Sequence, residues 1–199
     1  MSSISDDEIQ RIVQRVLNQY MGPSQPVSTM PPTPSAAAPV PKTESKPGER
    51  KVVAIGADHG GFELKELLKA DLAALGYDAL DVGTNSKEAV DYPDFAHEVA
   101  KLVSAGVAWR GIMIDGAGIG SCIVANKVPG VRAGMAYDYS SALNSREHND
   151  TNVLTLGAGL IGVNLAKQIV TVWLATPFGG GRHGVRVNKM NAVEKQYLK

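Results

Sequence analysis

Between residues 51 and 199, short β-branched or apolar runs alternate with helix-length amphipathic segments, and this alternation restricts the fold more than any other feature. The strand-like runs are Lys51-Val52-Val53-Ala54-Ile55-Gly56, 77–82, 110–115, 131–136 and 153–157. Helical patterns fit Phe62 to Leu75, 92–105, 119–127, 139–149 and 162–174, and a last helix fits 184–198. Strands that alternate with helices pair in parallel, because each helix carries the chain back to start the next strand beside an earlier one. A parallel sheet is covered on both faces. The expected fold class is therefore α/β, a doubly wound five-stranded parallel sheet with helices on both faces. In such a sheet ligands bind beyond the carboxyl ends of the strands, so chemistry is sought in the residues that follow each strand.

Two segments of different character precede this region. Residues 22–50 hold eight of the eleven prolines, at 23, 26, 31, 32, 34, 39, 41 and 47, with Ser, Thr and Ala between them. This composition reads as an extended, disordered linker, able at about 3.1 Å per residue to hold its ends tens of ångströms apart. Within residues 1–21, Ser5 as N-cap, Glu8 at N3 and Ile4 facing Ile9 form a capping box and hydrophobic staple. Ile9, Ile12, Val13, Val16, Leu17 and Tyr20 then recur at helical spacing, opposite Gln10, Arg11, Gln14, Arg15 and Asn18. A helix of about four turns is marginal alone and needs something to bury its stripe against. Docking to another protein, folding back onto its own domain or oligomer, and lying on a membrane surface are the three readings. With two arginines against three acids on the polar side, the last is the weakest.

The 20 basic and 20 acidic side chains cancel. No overall field exists to hold a nucleic-acid backbone or an anionic membrane. The single cysteine, Cys122, excludes an internal disulfide and fits a reducing compartment, and the four histidines are too scattered for a metal site. No stretch approaches the roughly 18 apolar residues of a membrane span. A cytoplasmic, metal-free protein with a small partner or substrate is expected.

The strand ends carry Asp58-His59-Gly60-Gly61 after the first run, Asp115-Gly116-Ala117-Gly118-Ile119-Gly120-Ser121 after the third, and Asp138 after the fourth. Glycines there let backbone N–H groups approach an anion closely. A nicotinamide fingerprint is disfavoured, because the third glycine position is Ser121 and the run follows the third strand rather than the first; a purely structural turn is the other alternative. Downstream lie Ser145-Arg146-Glu147-His148-Asn149-Asp150-Thr151-Asn152 and Gly179-Gly180-Gly181-Arg182-His183-Gly184-Val185-Arg186. On a helix Arg182 and Arg186 share one face and could both reach a phosphate. Carboxylates, imidazoles, backbone N–H donors and the paired arginines are expected to converge at one rim.

GADHGGFELK, DYPDFA, the glycine loop leading into Ala125-Asn126-Lys127, SREHNDTNVL and GGRH…RV resemble the signatures of the ribose-5-phosphate isomerase B and galactose-6-phosphate isomerase family over nearly all of 51–199. The resemblance implies a homodimer or homotetramer with active sites between subunits, and cofactor-free interconversion of phosphorylated aldoses and ketoses, ribose 5-phosphate and ribulose 5-phosphate first among them, through an enediol. By the same resemblance His148 and Asp58 help open the sugar ring. His59, Asn149, Arg182, His183 and Arg186 contact substrate or phosphate, with Gly116, Gly118, Gly120 and Ser121 in the anion loop.

Four positions depart from the family pattern. The usual base, a cysteine, is Asp115 here, with Ala117 two residues later. Where other members place a glutamate this chain has Ser121, and an arginine of many relatives is Gly159. Asp115 is the expected substitute base, and a subunit that binds a sugar phosphate without turnover is the alternative. Cys122 is read as a small buried hydrophobe, and His97 as a solvated residue. The N-terminal helix and tether resemble the encapsulation peptides that recruit enzymes into bacterial microcompartments. The resemblance implies that residues 4–21 dock on a shell or core protein, with the isomerase as lumenal cargo.

Overall fold

The computed structural model describes residues 50–198 and, ahead of them, only Asp7 and Gln10, both helical and exposed. The rest of the expected docking helix and linker lies outside the described residues. The chain divides into two units, Met1–Thr43 and Glu44–Lys199. The second contains the sheet.

Strands β1 (Val52–Ala57), β2 (Asp78–Asp81), β3 (Arg110–Asp115), β4 (Ala133–Met135) and β5 (Val153–Gly157) pair in parallel in the order β2-β1-β3-β5-β4. The helices are α1 (Phe62–Ala74), α2 (Tyr92–Ser104), α3 (Ile119–Ala125), α4 (Tyr139–Glu147), α5 (Val163–Ala175) and α6 (Gly181–Tyr197). The doubly wound α/β expectation holds. The two edge strands are shorter than the apolar runs at 77–82 and 131–136 because each has a ladder on one side only, β2 against β1 and β4 against β5. The last helix starts at Gly181 rather than 184. Gly180 and Gly181, at φ 60° and 51°, take the left-handed backbone that turns the chain into it.

Successive strand residues point to opposite faces, which separates the core into two halves. On one, Val53, Ile55, Ala57, Ile112, Ile114, Leu154 and Leu156 pack against Leu64, Leu68 and Leu72 of α1, Ala142 of α4, and Ile169, Val170 and Trp173 of α5. On the other, Ala54, Met113 and Val153 meet Ala96, Val99, Ala100 and Val103 of α2 and Ala125 of α3. Fully burying each large apolar side chain stabilises the fold by roughly 1.5–3 kcal/mol. Glycines set how closely α2 approaches. A Cβ at Gly56 would lie 2.7 Å from Val99, and one at Gly111 would lie 2.6 Å from it.

The polypeptide direction fixes the two ends of the sheet. The loops after β1, β3 and β5 emerge at the carboxyl rim. The turns from α4 into β5 and from α5 into α6 lie at the amino rim, where buried Arg110, first residue of β3, donates to the carbonyls of Trp173, Leu174 and Thr176. At about 3.3 Å per residue, the five steps from Arg110 to Asp115 put roughly 16 Å between the rims.

Candidate active site

At the carboxyl rim, two carboxylates organise two loops. Asp115 ends β3 and is 4% exposed. Its Oδ1 accepts from the N–H groups of Ala117 (2.8 Å) and Gly118. Its Oδ2 accepts from the N–H of Ser121 (3.2 Å) and from the Ser121 hydroxyl, itself fully buried. The loop curls around this side chain, and Gly118, at φ 80°, makes the turn against the Leu156 carbonyl. Asp58 follows β1 and is 7% exposed. Its Oδ1 accepts from Gly60 N–H at 2.9 Å and Gly61 N–H at 3.0 Å. Among the described residues, the N–H groups of Gly116, Ile119 and Gly120 donate no hydrogen bond, so they are open to an incoming oxygen.

Two further side chains border this rim. Exposed His59 has Nδ1 at 3.2 Å from both the N–H and the carbonyl of Val90, accepting from one or donating to the other according to its tautomer. The ring of Tyr92, first residue of α2, sits against Gly120, where an added Cβ would come within 2.5 Å of it. In the sequence Tyr92 stands only as part of the DYPDFA motif, with no role assigned to it. The Asp-Tyr-Pro start of a helix opposite a glycine was the available signal.

The other predicted residues gather at the amino rim. His148 caps the C-terminus of α4, and its ring stacks on His183 in the first turn of α6, with centroids 4.1 Å apart. The Gly179 N–H donates to the Glu147 carbonyl at 2.9 Å, which ties the entrance of α6 to the end of α4. Arg182 and Arg186 stand exposed one turn apart on α6. Burial, then His148, Arg182 and Arg186, hold the pKa of His183 below that of an ordinary histidine, with Glu147 opposing. Asn149 is exposed beside them, and its carbonyl accepts from Arg132 Nε at 3.3 Å. Asp150, at φ 48°, takes 2.8 Å bonds from both Arg132 and Arg146 and fixes this turn.

Within one chain the predicted residues therefore fall into two groups at opposite ends of the sheet: Asp58, His59, Asp115, Gly116, Gly118, Gly120 and Ser121 at one, and His148, Asn149, Arg182, His183 and Arg186 at the other. The expectation of a single rim is corrected by chain direction. Helices α4 and α5 run antiparallel to the strands, so the residues after each helix return to the amino end. Asp138 is a helix cap, its side chain accepting from Ser141 N–H at 2.7 Å, and that bond lowers its pKa. Cys122 is half-buried, and burial pushes its thiol up, so it is no ready thiolate. His97 is exposed, as expected. Gly159 donates its N–H to the Gly116 carbonyl and, lacking a side chain, leaves the carboxyl rim without a cation there. Among the described residues no group of three or more His, Cys, Asp or Glu could hold a metal ion, and no helix is long and apolar enough to cross a membrane.

A family model described as Ribose/Galactose Isomerase matches residues 53–190. The chain is similar to Ribose-5-phosphate isomerase B of Escherichia coli (strain K12), 45% identical over 146 residues that cover 73% of this chain and 98% of that protein. It is also similar to D-erythrulose-4-phosphate isomerase of Pectobacterium atrosepticum, 40% identical over 72% of this chain and 95% of that one. The solved structure of Clostridium thermocellum Ribose-5-Phosphate Isomerase B matches with a TM-score of 0.73 at 48% identity, over 74% of this chain and 99% of that one.

Proposed function

Because the chain belongs to the Ribose/Galactose Isomerase family, we propose that it interconverts an aldose phosphate and its ketose through an enediol, with ribose 5-phosphate and ribulose 5-phosphate as the pair. The observation that carries this reading is the division of the site between two rims. The carboxyl rim offers carboxylates and open N–H donors, which suit proton transfer and a developing enediolate oxygen. The amino rim offers Arg182 and Arg186 beside stacked His148 and His183, which suit a phosphate and the opening of a sugar ring. A sugar phosphate needs both sets, and one copy holds them about 16 Å apart.

Two copies of the chain complete the arrangement, each lending its amino-rim cluster to the other's carboxyl rim. The working unit is then a homodimer, or a homotetramer built from such dimers. In the completed site Arg182, Arg186 and His183 hold the phosphate, His148 opens the ring, and His59 and Asn149 contact the substrate. Transfer of the proton between C1 and C2 falls to a carboxylate of the carboxyl rim. The five-carbon choice draws on the similarity to ribose-5-phosphate isomerases. A second reading, a binding subunit without turnover, draws support from Asp115, whose oxygens are fully engaged.

Residues 4–21 complete the proposal as a docking helix that recruits the enzyme to a shell or core protein, in the lumen of a cytoplasmic bacterial microcompartment. Support comes from the sequence, a capped apolar stripe on a proline-rich tether. The deciding experiment incubates the purified full chain with tetrose, pentose and hexose phosphates and follows aldose–ketose interconversion. Turnover of ribose 5-phosphate without added metal or nicotinamide is expected. Absence of turnover across the panel would leave the binding subunit as the reading.

A further inference from the structure

We propose that Asp58, rather than Asp115, moves the proton between C1 and C2, and that Asp115 is a positioning residue that shapes the glycine loop; this rests on the isomerase reading above. A carboxylate presents about four lone-pair sites. Asp115 has all four engaged, Oδ1 by Ala117 and Gly118 and Oδ2 by the N–H and hydroxyl of Ser121. To take a proton from carbon it would have to release one of these donors. Gly118 and Ser121 are buried, so a donor released there would lose its partner away from water.

Asp58 is engaged on one side only. Its Oδ1 accepts from Gly60 and Gly61, while its Oδ2 accepts nothing from any described residue. It stands beside the glycine loop. The Asp58 N–H bonds the Ile114 carbonyl at 3.2 Å, one residue before Asp115. A Cβ added at Gly60 would sit 3.3 Å from Asp58 Oδ1 and 3.6 Å from the open N–H nitrogen of Gly116. The Asp58 carboxyl group and the open N–H of Gly116 therefore border one space beside Gly60.

The step balances without a further reactant. Oδ2 of Asp58 takes the C2 proton of the open-chain aldose, the C–H pair becomes the C1–C2 double bond, and the carbonyl pair moves to O1. O1 gains the proton that O2 gives up. The Asp58 carboxylic acid then returns its proton to C1, leaving a carbonyl at C2. Loop N–H groups at Gly116 and Gly120 stabilise the enediolate oxygen as it develops.

The test compares full-length wild type, Asp58→Asn and Asp115→Asn on the substrate that the panel identifies, in heavy water. Asp58→Asn keeps an Oδ1 acceptor for Gly60 and Gly61 but loses the base. It should keep Tm and KM, lower kcat by about a hundredfold to ten-thousandfold, and abolish deuterium incorporation at the exchanging carbon. Asp115→Asn turns an amide N–H toward the Ser121 N–H. It should lower Tm and raise KM, yet still incorporate deuterium. Should Asp58→Asn fail to fold, Asp58→Ser is read by the same criteria. An Asp58 variant that keeps more than about a tenth of kcat, or an Asp115→Asn enzyme with unchanged Tm and KM and no exchange, would overturn the assignment. A wild type inactive on every sugar phosphate would instead overturn the isomerase reading, and the assignment with it.

Discussion

The imidazole of His148 lies on that of His183 with ring planes 5° from parallel, and Nδ1 of His183 is buried with no hydrogen-bond partner among the described residues. Burial and the neighbouring His148, Arg182 and Arg186 lower the His183 pKa from 6.5, so the free site holds this ring neutral at neutral pH. A phosphate dianion among these groups favours the imidazolium and raises that pKa. Binding should then take up a proton, and affinity should rise as pH falls from the bound pKa toward the lowered free pKa, below which the gain is complete. The phosphate's own protonation, near pH 6, limits the useful range. Titration calorimetry with glycerol phosphate, a monoester that cannot isomerise, in two buffers of different ionisation enthalpy measures the uptake. His183→Asn should remove it.

A composite site makes a sharp prediction about mixtures. Asp58→Asn damages the carboxyl rim and Arg182→Ala the amino rim, so each variant alone should be nearly inactive. After subunits exchange, a mixed dimer has one doubly damaged site and one intact site. An equal mixture should recover about a quarter of wild-type turnover if subunits pair at random. A site contained in one chain would recover none.

How much of this was legible in the sequence divides along a physical line. Alternating runs placed β3 and β5 to the residue, because central strands are apolar along both faces and end at charged or glycine residues such as Asp115 and Gly157. The residue types of the site were also legible, since Asp58, His59, the glycine loop and Arg182-His183 stand out against apolar surroundings. Which end of the sheet each occupies was not read from the motifs. It is set by the antiparallel return of α4 and α5, which carries His148 and His183 away from Asp115. Nor does sequence spacing reveal that Ser121 and two loop N–H groups saturate Asp115. That depends on the fold of seven residues around one carboxylate.

Arg110 anchors the amino rim and gives a stability prediction. It is 5% exposed, and its guanidinium donates to the Trp173 (2.6 Å), Leu174 (3.0 Å) and Thr176 (3.4 Å) carbonyls at the end of α5, with Arg146 sharing the Thr176 oxygen. These are the acceptors a helix leaves unpaired at its C-terminus. Arg110→Met should cost about 1–3 kcal/mol in denaturant unfolding, because buried carbonyls lose their donors. Arg110→Lys should rescue little, since one ammonium cannot reproduce the planar fork. The turn released by either change leads into Arg182 and His183, so KM should rise more than kcat falls.

The final prediction tests whether the N-terminal segment has a job separate from catalysis. Ile9, Ile12, Val13, Val16, Leu17 and Tyr20 recur at helical spacing, while the eight prolines of residues 22–50 leave little that could pack against a core. Deleting residues 1–50 should therefore leave Tm, oligomeric state and kcat/KM of the remaining chain nearly unchanged, and should abolish co-localisation with a microcompartment shell in cells. Single changes should obey the helical geometry. Ile12→Glu or Leu17→Glu places a charge on the docking stripe and should act like the deletion, whereas Gln14→Glu on the polar side should be tolerated. A truncated chain that lost its oligomer or several degrees of Tm would make the helix part of the fold, and the recruitment reading would fall.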